Sequence, residues 1–184
     1  MRNRIILITI SLLFSGLLFG QNITTPEPAS RILDEAYSQA KNEKKNVMVI
    51  FHASWCGWCK KMDASINDPA CKDFFDKSFV IVHLTILESA NNKNLENPGA
   101  EDIFNENGGK GGGIPYFLIY DANGKLLSDS KMTVGTGADA KRSNIGCPAT
   151  DQEVAAFINI LKKTSKINEK EATAIAERFK LNRS

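Results

Sequence analysis

Apolar positions along this chain fall into runs of two periods, and their alternation predicts a mixed architecture. Leu33, Ala36, Tyr37 and Ala40 recur at three-and-four spacing, which predicts a helix with Ser30 as its cap. Val47-Met48-Val49-Ile50-Phe51 is a continuous β-prone run. It is too apolar for a half-exposed strand and predicts a central strand covered on both faces. Met62 and Ile66 carry a helical stripe onward from Cys59, and Asp68-Pro69 reads as a helix start followed by Cys71, Phe74 and Phe75 on one face. Residues 79–87 form a second β-prone run that includes His83. A polar, asparagine-rich loop over 88–98 then leads to a short helix over 100–107 that buries Ile103 and Phe104.

The glycine run 108–113 lacks the Lys-Ser/Thr of a phosphate-binding loop and reads as a hinge. Residues 114–120 form an apolar strand opened by Pro115, and Asp121-Ala122-Asn123-Gly124 is a hairpin turn returning through 125–127. A long loop over 128–148 follows. Thr150 and Glu153 make a capping box for a helix burying Val154, Phe157, Ile158 and Leu161. Asn168 and Glu171 begin another, with Ala172, Ile175, Ala176 and Phe179 on one face.

With 184 residues and 42% hydrophobic side chains, the chain suits one domain with extensions. Of its 23 basic residues, Arg2 and Arg4 belong to the amino terminus, and the remainder balance the 21 acidic ones. That balance argues against a nucleic-acid footprint or a polybasic membrane anchor. Arg2 and Arg4 precede an apolar stretch over 5–19 that is short for a bilayer span, and polar residues begin at Gln21. This pattern predicts a cleavable signal peptide over 1–20 in preference to a retained anchor, a linker over 21–29 and a domain over 30–184. Cleavage would leave no stable membrane insertion and place the protein outside the cytoplasm, in the periplasm or secreted, where disulfides persist.

Trp55-Cys56-Gly57-Trp58-Cys59-Lys60 is the candidate chemical centre. The strand before it and the helix after it put Cys56 at a helix start. There, unpaired backbone N–H groups and the positive end of the helix dipole stabilise a thiolate. Cys56 is therefore the expected nucleophile and Cys59, three residues on, the expected resolving thiol of a redox-active disulfide. One C-x-x-C is a poor zinc site without a second pair, and Lys60 stands where haem attachment needs histidine, so neither metal nor cofactor is expected. Trp55 and Trp58 either contact apolar substrate segments or pack beneath the loop. His52 and His83 read as strand residues, with His52 near enough in sequence to influence Cys56.

The order helix, strand, C-x-x-C at a helix start, helix, strand, helix, Ile-Pro strand, hairpin, helix resembles that of bacterial exported thioredoxin-family proteins. The resemblance covers roughly residues 30–164, and its specific parts are the Trp-Cys-Gly-x-Cys-Lys motif and Ile114-Pro115. It implies an α/β thioredoxin-like fold, a central mixed sheet flanked by helices, with insertions and an appended helix over 168–181. It further implies a cis Ile114-Pro115 bond facing the dithiol, with Ile114 pairing its backbone to an extended substrate and Pro115 excluding metal. Trp55, Gly57 and Trp58 would complete the substrate contact. Trp58 stands where ordinary thioredoxins carry proline, and Ile50 where many carry a buried acid, so their potential and rate do not transfer.

In that topology Cys147 lies at the active-site end of the sheet and Cys71 towards the opposite end, which predicts that the two are not bonded. Cys71 reads as a buried thiol, and Cys147 as either packed or auxiliary. The long segments 88–113 and 128–148 shape a partner surface or are passive. The implied activity is thiol–disulfide exchange with protein or peptide substrates and a redox partner protein. The alternative is a binding or chaperone module on the same fold without redox activity.

Overall fold

The computed structural model describes residues 25–183. The expected signal peptide, 1–20, and the first residues of the expected linker lie outside them. Helix α1 (Ala29–Glu43) leads into strand β1 (Asn46–His52), and every residue from Val47 to Phe51 is buried. Helix α2 (Gly57–Ile66), helix α3 (Lys72–Ser78) and strand β2 (Phe79–Thr85) follow, so that β2 returns parallel to β1. A 3-10 turn (Ala90–Leu95) and helix α4 (Ala100–Glu106) connect to strand β3 (Tyr116–Tyr120), antiparallel to β1, and strand β4 (Leu126–Asp129) closes the order β2-β1-β3-β4. A separate hairpin of β5 (Lys131–Val134) and β6 (Lys141–Asn144) precedes helices α5 (Asp151–Thr164) and α6 (Glu169–Lys180).

The period of two in β1 and β3 sorts their side chains into two cores. Met48, Ile50, Phe117 and Ile119 face α2, α3, α5 and α6, whereas Val47, Val49, Phe51, Tyr116 and Leu118 face α1 and α4. Because helices cover both faces, both strands are apolar throughout, as a sandwiched sheet requires. The expected thioredoxin-like arrangement is thus the one observed. Both expected capping boxes are formed, at Thr150 with Glu153 and at Asn168 with Glu171, each cap stabilising its helix by about 1 kcal/mol.

Several local expectations differ from the structure. Helix α1 begins at Ala29 with Pro28 as N-cap, and Ser30 sits exposed in its first turn. The helix starts earlier because the Ala29 N–H donates to the Pro98 carbonyl at 2.9 Å and the Arg31 N–H to the Pro28 carbonyl at 3.0 Å, which puts Ser30 inside the first turn. Asp68 caps a turn, accepting from Ala70 N at 2.9 Å, and α3 itself begins only at Lys72. The supposed loop 128–148 contains the β5–β6 hairpin. The expected extra C-terminal helix is present as α6, and its Ile175 and Phe179 are fully buried with Phe157 of α5 in the main core.

Candidate active site

The end of β1 delivers the dithiol. Cys56 N donates to Ala53 O at 3.0 Å, and Cys56 takes the extended conformation of an N-cap at φ −75° and ψ 100°. Its Sγ accepts the Cys59 amide at 3.1 Å, so sulfur occupies the place that a serine or aspartate oxygen takes at other helix starts. Cys56 and Cys59 form a disulfide with Cα atoms 5.3 Å apart. Both cysteines are nearly covered, at 3% and 2% exposure, while Trp55 and Trp58 on either side are 58% and 49% exposed. Neither tryptophan packs beneath the loop. The Trp55 indole N–H donates to Leu87 O at 2.8 Å, the Trp58 ring carries Lys61 Nζ 4.9 Å from its centroid, and Gly57 faces open space.

Ile114-Pro115 is cis and stands against the dithiol, with Ile114 O 3.8 Å from Cys56 Sγ. Asn144, at the end of β6, holds this segment by donating through Nδ2 to Gly113 O at 3.0 Å and Pro115 O at 2.9 Å. Its Oδ1 accepts from Ser130 Oγ at 2.7 Å and Gly146 N at 3.0 Å. One amide thereby ties the hairpin, the Ile-Pro segment and the loop towards α5 together. Between Trp58, Ile114, Pro115, Ile145, Cys147 and Ala149 lies a cleft of about 400 Å³.

Across the dithiol, Glu88 is only 5% exposed and accepts from the Ser54 backbone N–H and, at 2.8 Å, from Ser54 Oγ. It follows Leu87, whose φ of 54° lies in the left-handed region that non-glycine residues seldom occupy. The Leu87 carbonyl and the Glu88 carboxylate together pin Ser54 and Trp55, the two residues before Cys56. The Ser54 N–H holds the Glu88 carboxyl below its usual range, against burial that pushes the other way. A group whose folded value lies below its unfolded one stabilises the fold at neutral pH and loses that contribution as pH falls through the folded value. Glu88→Gln is therefore expected to lower stability at neutral pH and to flatten the acid limb. The wild-type minus variant difference in urea midpoint should shrink between roughly pH 6 and pH 3; a constant difference would assign Glu88 a role independent of its charge.

His52 Nε2 meets Thr85 Oγ1 at 3.1 Å, its ring centroid is 5.1 Å from that of His83, and His83 Nε2 meets Asp63 Oδ1 at 2.8 Å. Burial first, then the neighbouring His83, lowers the His52 pKa. Ile50, at the position of the family's buried acid, is 1% exposed among apolar neighbours. Cys71 and Cys147 are free and buried, as the topology predicts, and burial pushes their thiols up to about 11 and about 12. Among the described residues no group of three or more His, Cys, Asp or Glu side chains is placed to hold a metal ion.

A β-strand that ends in a C-x-x-C at a helix N-cap, facing a cis-proline segment across a mixed sheet, defines a thioredoxin-type site. The sequence profile of the thioredoxin-like family matches residues 29–122, and the chain belongs to that family. Among solved structures it is similar to a disulphide isomerase from Xylella fastidiosa Temecula1, at 16% identity and a TM-score of 0.47 over 85% of this chain and 92% of that one. It is also similar to DsbH oxidoreductase, at 21% identity and a TM-score of 0.44 over 78% and 85% of the two chains. A third similar structure is the oxidised carboxy-terminal domain of DsbD from Neisseria meningitidis, at 19% identity and a TM-score of 0.40 over 73% and 97%.

Proposed function

We propose that the protein is a thiol–disulfide oxidoreductase acting on protein or peptide disulfides through Cys56 and Cys59. The observation that carries this reading is the Cys59 amide 3.1 Å from Cys56 Sγ at the start of α2, a fixed donor for negative charge on that sulfur. In the reduced enzyme the Cys56 thiolate attacks one sulfur of a substrate disulfide. A mixed disulfide forms and the other substrate sulfur leaves as a thiolate, which takes up a proton. Cys59 loses its proton and attacks Cys56 Sγ, releasing the second substrate thiol and leaving the enzyme disulfide. Two electrons have passed from the dithiol to the substrate, and a redox partner protein resets the pair; run backwards, the same steps oxidise a substrate dithiol.

Trp55, Gly57 and Trp58 form the open approach to the sulfurs. The Ile114 backbone beside Pro115 supplies a main-chain partner for an extended substrate segment. The reaction needs no bound cofactor. Expected export after signal cleavage puts the domain, residues 30–184, in the periplasm or secreted; no helix among the described residues is long and apolar enough to cross a membrane. The test is catalysed insulin reduction in dithiothreitol, together with equilibration of the Cys56–Cys59 pair in glutathione buffers. Faster insulin precipitation and a reversible two-electron equilibrium are expected. A protein that accelerates nothing and keeps its disulfide at every glutathione ratio would instead be a binding or chaperone module.

A further inference from the structure

The chain's last described turn (Leu181–Arg183) places Asn182 inside the protein, at 4% exposure. Its Nδ2 lies 3.0 Å from Ser65 Oγ, 3.3 Å from Pro148 O and 3.3 Å from Cys147 Sγ, so two amide hydrogens serve three acceptors. Ser65 Oγ in turn donates to Lys61 O at 2.8 Å, within α2. The Asn182 backbone carbonyl accepts from Lys61 Nζ at 3.0 Å, and its Oδ1 from Arg178 at 3.4 Å. Arg178 is itself fixed by Asp68 at 2.7 Å. A single carboxamide thus joins the helix that carries the dithiol to the loop before α5.

That loop is the outer wall of the cleft beside Cys56. Ile145, Cys147 and Ala149 are buried and line it opposite Trp58, Ile114 and Pro115. Asn144 fixes the near end of the wall and the Thr150 capping box the far end. Between those two points Asn182 donates to Cys147 Sγ and to Pro148 O. The chemistry explains the residue type. Only a side chain that donates twice and accepts once satisfies Pro148 O and Ser65 Oγ together while receiving Arg178, and a buried acceptor left without a donor is costly.

We propose that Asn182 is a positioning residue: it holds the wall 145–149 to the active-site helix and so sets how a disulfide substrate docks beside Cys56. The inference rests on the exchange reading for its substrate and on geometry alone for the strap. Asn182→Ala is expected to raise KM for a protein disulfide by roughly three- to tenfold at unchanged kcat, the size of one or two lost hydrogen bonds. Ser65→Ala, which removes one partner from the opposite side, should move KM the same way by less.

Alkylation supplies a readout that does not depend on activity. In the oxidised protein the free thiols among the described residues are Cys71 and Cys147. Native iodoacetamide labelling followed by peptide mass spectrometry should show Cys147 labelled several-fold faster in Asn182→Ala, with Cys71 as slow as in the wild type. Equal acceleration at both cysteines would mean general loosening and overturn the strap. Selective Cys147 labelling with unchanged KM would overturn its role in docking. If the wild type catalyses no exchange, the exchange reading fails, and with it the docking role, while the labelling ratio still decides whether Asn182 holds the wall.

Discussion

Cys56→Ser is expected to abolish exchange, by on the order of 10³-fold or more, whereas Cys59→Ser is expected to keep the first step and accumulate a mixed disulfide. The difference follows from where each group sits. The donor to Cys56 Sγ is the backbone N–H of residue 59, so removing the Cys59 sulfur leaves that donor in place 3.1 Å away. Cys56 in this variant can still form a thiolate and attack. Release needs a second sulfur within reach, and serine cannot supply one. The adduct persists until an external thiol cleaves it. Serine at position 56, by contrast, offers a hydroxyl that is not appreciably ionised near neutral pH and cannot form a disulfide. Non-reducing gels and intact mass should show a dithiothreitol-sensitive adduct with Cys59→Ser and none with Cys56→Ser. The reverse pattern would exchange the assigned roles, and absence of adduct from both would remove the enzyme reading.

What could be read in advance was what neighbouring residues encode together. The apolar run 47–51 has no polar position, and it lies buried between two helical layers. Thr150 with Glu153 and Asn168 with Glu171 are three residues apart, so each pair contains its own geometry. Cys56 became an N-cap because the stripe through Met62 and Ile66 fixes where the helix runs. The supports of the site are of another kind. Glu88 meets Ser54 across 34 positions, Asn144 meets Pro115 across 29, and Asn182 meets Ser65 across 117. Each is a polar residue in a loop, at a strand end or in a terminal 3-10 turn, where no hydrophobic period announces the contact it will make. The β5–β6 hairpin escaped notice for a related reason. Strand β6, Lys141 to Asn144, is polar throughout, and β5 alternates over only the four residues Lys131-Met132-Thr133-Val134, too short a run to stand out as a strand period. Ser30 shows the opposite error, a good cap residue two places beyond the actual cap, in a helix whose first N–H is served by the distant Pro98 carbonyl.

Phe179→Ala is expected to destabilise the whole domain by about 3–5 kcal/mol, as much as Phe157→Ala, although Phe179 belongs to a helix that the sequence presents as an appendage. Phe179 is fully buried, with its ring centroid 4.9 Å from Phe157 and 6.5 Å from Phe75. Phe157 in turn lies 5.6 Å from Phe117 of β3 and is stacked on Phe75 of α3 at 6.3 Å. The aromatic cluster therefore runs from the central sheet to α6 without a polar break. Truncating either ring leaves a cavity that the flanking helices cannot close without moving the sheet. Urea titrations separate the two descriptions of α6. If it is part of the core, far-UV circular dichroism and the fluorescence of Trp55 and Trp58 should fall in one coincident transition, shifted to lower urea with unchanged slope. An appended helix would instead melt in an early phase seen by circular dichroism alone, leaving the tryptophan transition at the wild-type midpoint. The same comparison bears on catalysis, because α6 carries Arg178 and leads directly into Asn182. A helix that unfolds with the sheet keeps the cleft wall in register for as long as the dithiol helix itself is folded.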